Sequence, residues 1–595
     1  MSTHVHPYQD RSVSIDHRVE DLLARLSIAD KAGLMFQPMG FLAPPEAQLP
    51  GLGLPPVRKM IEDLRISHVN LVNSTTTARQ IAEWHNAVQT IAAETAWGIP
   101  VTVSTDPRNS FTDNPAAGLA AGAFSQWPEA IGIGAIGSTE TAMSYADIVR
   151  REYLAVGIRL ALHPQIDLAT DARWARASGT FGADVELTSQ LGAAYVRGLQ
   201  GDVLGRDSVS AMIKHFPGGG PQKDGEDPHF PWGREQVYPG GRFAEHLRPF
   251  EVALAAGASQ VMPYYGMPID TEHEEVGFGF NRSIITGLLR EQLGFDGIVC
   301  TDWSILSDQQ LFGGMVGARA WGVEHLSVDE RIVTALDAGV DQFGGEHLTA
   351  ELIALVAAGR ITEQRLDVSV RRILREKFLL GLFDERRYVD TEAADRIVGS
   401  EEFARAGFEA QRAATTLLQN TEVDGEPLLP LSRSIRLYVE GIDQQVAAQY
   451  ATVVDDPSQA DVAALRLQTP FEVREGPIAS HFRAGSLEFS EQERDHVLAV
   501  CGTVPTVIDV FLERPALLEP FAGAAAAIIA DFGASDRALL DVLFGVAAPL
   551  GRLPFEIPRS TAAIEASLPD VASDTADPLF PIGSGLRYVE VAVTA

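Results

Sequence analysis

Short apolar segments that end in polar or charged residues recur through the first two thirds of the chain, and this repeat limits the possible folds most strongly. Each segment is followed by polar residues and then by a longer amphipathic stretch, an alternation typical of parallel β/α units. About seven or eight such units predict a closed parallel barrel. The segments that we interpret as strands are 68–73, 100–106, 160–168, 210–215, 260–265, 297–302 and 339–343.

The pattern restarts after a charged stretch, which indicates a second domain. A length of 595 residues exceeds what one ordinary core accommodates. We predict an α/β protein with a TIM-like (β/α)8 barrel over residues 1–390, a linker or helix over 391–410 and a smaller α/β sandwich over 411–595. In the sandwich we expect strands at 435–439, 463–467, 507–511 and 527–530, and helices at 491–500 and 536–543.

Polar side chains at the ends of the predicted barrel strands are candidates for a functional site. The C-terminal ends of barrel strands converge on one face, where active sites lie. A buried charge there is costly unless it is paired or used, so a salt bridge could explain any one of these residues but explains the whole set less well. The set comprises Asp106, Asp167, Lys214 with His215, Tyr264 with Tyr265, and Asp302.

Two of these strand ends carry motifs that resemble the signatures of glycoside hydrolase family 3. They are KHFPGGG at 214–220 and TDW at 301–303. Further segments similar to that family follow in the family's order, among them GRLP at 551–554 and PLFPIGSGL at 578–586. The resemblance covers nearly the whole chain and is closest to the two-domain, β-glucosidase-like branch.

The resemblance implies a retaining, exo-acting β-glycosidase, with β-glucosidase as the expected activity. Retention requires an ionised carboxylate that attacks the anomeric carbon and a second group that protonates the leaving oxygen. Asp302 matches the family's nucleophile. Tyr265 is expected to steady Asp302, and Tyr264 could take that place instead. Asp227 is expected to lie near the sugar, and Glu226 could fill the same role. The residues expected to bind or surround the sugar are Asp106, Arg176, Lys214, His215, Tyr265, Trp303 and Asp227.

The proton donor has more than one candidate. The branch takes it from a second-domain loop, and the segment 468–476 (QTPFEVREG) resembles that loop with slightly different spacing. Glu472 is the predicted donor and Glu475 the second choice, although both could simply be solvated loop acids. Asp227 and His229 have the separation of the Asp-x-His dyad of the family's N-acetylglucosaminidase branch, but that branch's Gly-His-Gly is replaced here by glycines at 218–220.

Three functions therefore remain open. The chain is expected to be a β-glucosidase, or a β-xylosidase, that uses Asp302 and Glu472. An N-acetyl-β-glucosaminidase or phosphorylase that uses His229 is the second possibility. A catalytically inactive sugar-binding protein is the third, because pocket motifs such as ADV at 183–185 depart from the family pattern. The presence of Asp302 argues against the third.

Charge and composition limit the partners. A net charge of −33 disfavours nucleic acid, so we expect an oligosaccharide or an aryl or alkyl β-glycoside as substrate; a homo-oligomer is compatible with the sequence. Residues 1–10 lack the basic and apolar stretches of a secretory signal, and no segment is long and apolar enough for a membrane span, so a cytoplasmic location is expected. Cys300 and Cys501 have no metal-ligand spacing. We expect neither a cofactor nor a metal.

Overall fold

The computed structural model describes residues 6–72, 77–114, 118–311, 313–384 and 386–588. The predicted strand 68–73 is observed as His68–Leu71, and Asn73 lies outside the described residues. Within these ranges, no helix combines the length and the apolar character that crossing a bilayer requires.

The N-terminal domain contains one sheet of 7 parallel strands and a pair of strands that joins its two ends. Met39 pairs with Asn70 at one end of the sheet, and Cys300 pairs with Gln342 at the other. The pairings form a closed ring, as the predicted barrel requires. In chain order the strands are Phe36–Gln37 with Met39–Gly40, His68–Leu71, Thr102–Thr105, Ile158–Ala161, Ser210–Phe216, Gln260–Pro263, Ile298–Val299 and Phe343–Gly344.

The first strand of the ring was not predicted from the sequence. Pro38 interrupts it, and because proline donates no backbone hydrogen bond, the strand divides into Phe36–Gln37 and Met39–Gly40. Phe36 pairs with Phe343 on one side of the break, while the second half pairs with the next strand along the chain. The two short halves together close the barrel.

The predicted strand 160–168 is wrong at its C-terminal end. The observed strand is Ile158–Ala161, and Pro164 follows it in a loop. Beyond the proline, the amide of Ile166 donates to the carbonyl of Lys214 at 2.8 Å. Asp167 therefore lies in a loop that folds over the neighbouring strand.

Helices surround the barrel and pack their apolar faces against it. The last of them begins at Glu363, because the side chain of Thr362 caps it by accepting a hydrogen bond from the amide of Arg365. The principal helices are Ile15–Leu23, Ile28–Leu34, Val57–Glu62, Ala78–Ala93, Ala130–Ile136, Thr139–Val156, Val185–Gln200, Phe243–Ala255, Ser283–Gln292 (a π-helix), Val328–Ala338, Thr349–Ala357 and Glu363–Leu379.

Residues 391–410, predicted as a linker or helix, form Thr391–Ile397 and most of Glu401–Ala414. The second domain that follows is built on a 6-stranded sheet, which is parallel except for its first strand. In spatial order its strands are Thr416–Asn420, Ala527–Asp531, Thr506–Phe511, Val462–Gln468, Arg436–Glu440 and Thr452–Val454.

Both faces of this sheet are covered, as expected for an α/β sandwich. Successive strand residues point to opposite faces, so Ile528 packs with Val497 of helix Glu491–Cys501. Ile529 packs with Leu539 on the other face. The remaining helices of this domain are Gln444–Ala447, Glu519–Ala522, Asp536–Leu543 and Thr561–Ala566.

The second domain docks over the C-terminal end of the barrel. The buried guanidinium of Arg514 donates to the carbonyl of Arg173 in the barrel domain at 2.9 Å. It also donates to the carbonyls of Pro470 and Gly485 within its own domain, at 2.9 and 3.0 Å. One side chain therefore fixes both ends of a second-domain loop above the barrel.

Candidate active site

A cavity of about 490 Å³ opens where the C-terminal ends of the barrel strands meet the second-domain loop. It brings together most of the side chains that the sequence predicts for the site, together with the alternative donor His229. The predicted residues on its wall are Asp106, Arg176, Lys214, His215, Tyr265, Asp302 and Trp303.

The carboxylate of Asp302 is held at one oxygen and has its other oxygen without a hydrogen bond. Oδ1 accepts from the backbone amide of Trp303 at 2.8 Å. Oδ2 makes no hydrogen bond to any described residue, although Nε2 of His215 lies 3.8 Å away. Asp302 is only 7% exposed and lines the cavity. This geometry suits attack on a bound substrate.

His215 is oriented by Asp167. The carboxylate of Asp167 lies 2.8 Å from Nδ1 of His215 and accepts from the amides of His215 and Gly219 at 3.0 and 2.6 Å. Burial raises the pKa of Asp167 to about 6 and lowers the pKa of His215 well below its ordinary value. A neutral ring that donates from Nδ1 presents an unprotonated Nε2 to the cavity. In this state His215 can accept a hydrogen bond from a sugar hydroxyl.

Lys214 and Arg176 supply positive charge on the cavity wall. Nζ of Lys214 lies 2.9 Å from Oδ1 of Asp106, and this cation lowers the pKa of Asp106 although burial acts in the opposite direction. The pKa of Arg176 is raised against the effect of burial, because Tyr264 and acidic neighbours including Asp302 stabilise the charged guanidinium. Donors and carboxylates in this arrangement can grip neighbouring sugar hydroxyls.

Asp227 lies behind the cavity wall and holds His229 in place. Its Oδ1 is 2.6 Å from Nδ1 of His229, and its Oδ2 accepts from the hydroxyl of Tyr264 at 2.8 Å and from Nε1 of Trp174 at 3.1 Å. Burial would raise the pKa of Asp227, but His229 and Arg176 lower it to about 2. Asp227 therefore acts on the cavity through His229.

The ring of His229 lines the same cavity as Asp302. It lies 4.6 Å from the ring of Tyr265 and 4.8 Å from that of Phe482, measured between centroids. Burial lowers the pKa of His229, and the charge of Asp227 partly offsets this. With Nδ1 bound to Asp227, Nε2 is the nitrogen left to exchange a proton with a ligand.

Tyr265 supports the nucleophile strand indirectly. Its hydroxyl donates to the backbone carbonyl of Trp303 at 2.8 Å, one residue beyond Asp302. Burial raises the pKa of Tyr265 well above its ordinary value, and the charge of Asp302 adds to the effect. The hydroxyl therefore stays protonated and remains a donor.

The structure does not bring Glu472 or Glu475 into the cavity. Both are exposed, and neither is on the cavity wall. The amide of Glu472 donates to the carbonyl of Ala484 at 2.8 Å, and its Oε1 accepts from the amide of Ser486 at 3.2 Å. These two hydrogen bonds hold Glu472 against residues 484–486 of the same loop. The loop instead contributes Ile478, His481 and Phe482 to the wall.

Other wall residues had no signal in the sequence. Arg319, Ser304 and Asp113 line the cavity, but none lies in a recognisable motif or directly at a predicted strand end. Among the residues that the structure describes, no group of three or more His, Cys, Asp or Glu side chains could hold a metal ion.

Comparison with known families divides the chain between residues 376 and 391. The profile of the glycosyl hydrolase family 3 N-terminal domain matches residues 55–376. The profile of the family's C-terminal domain matches residues 391–588. The chain belongs to glycosyl hydrolase family 3. As a family 3 protein it is a glycoside hydrolase.

Relatives within family 3 match along almost their whole length. A probable beta-glucosidase C of Aspergillus flavus is 48% identical over 98% of this chain and 92% of its own. A periplasmic beta-glucosidase/beta-xylosidase of Dickeya chrysanthemi is 40% identical over 98% and 92%. Among solved structures, a mutant exo-1,3/1,4-beta-glucanase from a Pseudoalteromonas species shares the fold, with a TM-score of 0.78 and 22% identity over 97% of this chain and 96% of that one.

Proposed function

We propose that this family 3 enzyme is a retaining, exo-acting β-glucosidase that forms a covalent intermediate on Asp302. The observation that carries the proposal is the free Oδ2 of Asp302 in a cavity whose wall also holds Asp106, Lys214 and Arg176. The names of the relatives support glucoside as the substrate. β-Xyloside is a second candidate, because the Dickeya chrysanthemi relative carries both activities in its name.

We further propose His229, in place of Glu472, as the proton donor. In the first step Oδ2 of Asp302 attacks the anomeric carbon, the glycosidic bond breaks, and protonated His229 gives its Nε2 proton to the departing oxygen. In the second step neutral His229 takes a proton from the attacking water, and the bond to Asp302 breaks. Two inversions give net retention, and the reaction uses only side chains and water.

Labelling tests the nucleophile. A 2-deoxy-2-fluoro-β-glucoside with a good leaving group should form a stable adduct, and peptide mass spectrometry should find it on Asp302. Asp302→Asn should fold as the wild type does and lower kcat by several orders of magnitude, because it removes the attacking oxygen. An adduct on another residue would contradict the assignment.

The choice of proton donor is tested with His229→Ala and the matched variant Glu472→Ala. With phenyl β-glucoside, a poor leaving group, we expect the histidine variant to lose about 10²- to 10⁴-fold in kcat/KM. With 2,4-dinitrophenyl β-glucoside the loss should be small, since this group leaves without protonation, and azide should restore part of the turnover. Glu472→Ala should behave as the wild type. The opposite pattern would return the role to Glu472.

A panel of nitrophenyl β-glycosides tests the sugar. We expect glucoside to be hydrolysed fastest, with xyloside second. A preference for N-acetylglucosaminide, or a rate that depends on added phosphate, would favour the aminosugar-specific or phosphorolytic alternative. Retention of configuration in the first-formed sugar, measured by NMR, checks the double displacement.

We also propose a cytoplasmic location. The relative from Dickeya chrysanthemi is named as periplasmic, so the location of that protein differs from the proposed one. Fractionation of cells that express the native gene, with activity measured in each fraction, decides between the two.

A further inference from the structure

The cavity has a polar floor and a largely apolar upper wall. The side chains that carry charge at the strand ends form the floor. Apolar side chains on the rest of the wall include Phe41, Val72, Leu119, Leu311, Ile478 and Phe482. Polar exceptions in this part of the wall are Asp113 and His481. An apolar wall favours an apolar ligand, since burying apolar surface against it releases water.

Arg319 is a buried cation in this wall that lacks an anionic partner. Its side chain is 4% exposed, and its guanidinium makes no hydrogen bond or ion pair with any residue in the described ranges. It lies over the face of Tyr265, with Cζ of Arg319 at 5.6 Å from the ring centroid. A buried guanidinium without a carboxylate is costly, so its persistence on the wall of a substrate cavity points to a partner that arrives with the ligand.

Glu346 is an acid whose charge interacts with that of Arg319, but its carboxylate is hydrogen-bonded to other groups. Glu346 accepts hydrogen bonds from the amides of Leu306 and Ser307 and from the side chains of Ser307 and Gln309. Burial raises its pKa to about 7, with the charge of Arg319 as one of the smaller opposing influences. The charge of Glu346 thus lowers the positive potential around Arg319, but the two side chains form no ion pair.

Arg319 lies on the side of the cavity where the leaving group is expected. It contacts one face of Tyr265, and the ring of Tyr265 also contacts His229, the proposed proton donor. His229 in turn contacts Phe482 of the apolar wall. Lys214, of the proposed sugar-binding pair, lies on strand Ser210–Phe216, which pairs with the strand that precedes Tyr265. Its partner Asp106 follows strand Thr102–Thr105, farther around the ring.

We propose that Arg319 binds the aglycone and selects β-glucosides whose apolar aglycone carries a carboxylate. The planar guanidinium matches a carboxylate with two parallel hydrogen bonds, while the surrounding apolar side chains hold the rest of the group. This inference rests on the proposed β-glucosidase activity. It names the class of leaving group that the same site prefers.

The test compares 4-carboxyphenyl β-glucoside with 4-carbamoylphenyl β-glucoside, which has nearly the same shape and no charge. For the wild type we expect kcat/KM to be about 10- to 100-fold higher for the carboxylate, the range that a charged hydrogen bond supplies. In Arg319→Gln this preference should vanish or reverse, because the net charge of −33 then repels the anionic substrate without compensation.

Arg234→Gln is the matched control. Arg234 is an exposed arginine that pairs with Glu324, so this variant removes the same charge from the surface and should keep the wild-type preference. Arg319→Lys keeps the charge but not the fork and should retain part of the preference. Circular dichroism and turnover of the neutral substrate check that each variant is folded.

Three outcomes would overturn the inference. The wild type could show no preference for the carboxylate, which needs no variant to establish. Arg319→Gln could lower turnover of both substrates equally, which indicates a structural role. It could also lower cellobiose hydrolysis as much as that of the carboxylate, which assigns Arg319 to sugar hydroxyls. Failure of the wild type to hydrolyse 4-nitrophenyl β-glucoside would instead refute the proposed function itself.

Discussion

Asp227→Asn gives the sharpest test of the Asp227–His229 pair. The substitution keeps the shape of the side chain and removes its charge. The pKa of Asp227 lies at about 2 in place of its ordinary 3.8, and this lowering corresponds to roughly 2 kcal/mol in favour of the ionised carboxylate, with His229 the largest favourable contributor. Because the coupling between two charges is reciprocal, the ionised carboxylate in turn stabilises protonated His229. Its loss should lower the pKa of His229 further.

The direction of the change follows from the protonation state that the reaction needs. In the proposed mechanism His229 donates a proton, so kcat/KM should fall as the pH rises through the pKa of His229, which burial already places below the ordinary 6.5. In the asparagine variant this fall should move to lower pH. At a fixed pH above the pKa, kcat/KM for phenyl β-glucoside should drop about tenfold for each unit by which the pKa of His229 falls.

The assay is the pH profile of kcat/KM for phenyl and 2,4-dinitrophenyl β-glucosides. Only the first should respond strongly, because only its leaving group needs the proton. Tyr264→Phe is the control: it removes one hydrogen bond to the same carboxylate but leaves the charge, so the fall should stay near its wild-type pH. An unmoved fall in Asp227→Asn, or equal losses for both substrates, would refute the reasoning.

Further expectations concern burial and ion pairing. Burial raises the pKa of Glu129 from 4.5 to about 7, so the folded state loses stability as the pH rises between these values. Glu129→Gln should therefore add up to roughly 3 kcal/mol to the free energy of unfolding above about pH 7 and nothing below about pH 4.5. Thermal melts at both pH values check this. Phe482→Ala should expose His229 to water and move the fall in kcat/KM to higher pH; a fall at unchanged pH would contradict the role given to burial. Lys214→Met should lower the free energy of unfolding by about 2 kcal/mol, because it leaves Asp106 without its cation. The loss is not larger, because 33% of the Asp106 side chain is exposed to water. The added change Asp106→Leu should restore the melting temperature but not the activity.

The sequence predicted most of the barrel because each buried strand is a short apolar run. Segment 210–215 corresponds closely to Ser210–Phe216, and the predicted helix 536–543 to Asp536–Leu543. The first strand was missed because Pro38 divides it into pieces that are too short to show a pattern. A strand of that kind is defined by its neighbours in the ring and not by its own residues.

The same distinction applies to the site. Asp302, Lys214 and His215 were predictable because they directly follow strands or lie at strand ends, where the backbone fixes their position. Glu472 was not, because its position depends on how a loop of the second domain folds back on Ala484. Arg319 gave no signal, because its environment arises only when distant segments meet.

The second-domain loop that carries Phe482 has a consequence for biosynthesis. The ribosome completes every barrel strand before it reaches this loop, and the strand Ala527–Asp531, which lies between Thr416–Asn420 and Thr506–Phe511 in the second sheet, is made later still. The cavity therefore acquires its full wall only when the chain is nearly complete. A nascent or prematurely terminated chain would carry Asp302 with an open, water-filled surface around it, so the timing of synthesis itself delays the onset of hydrolysis.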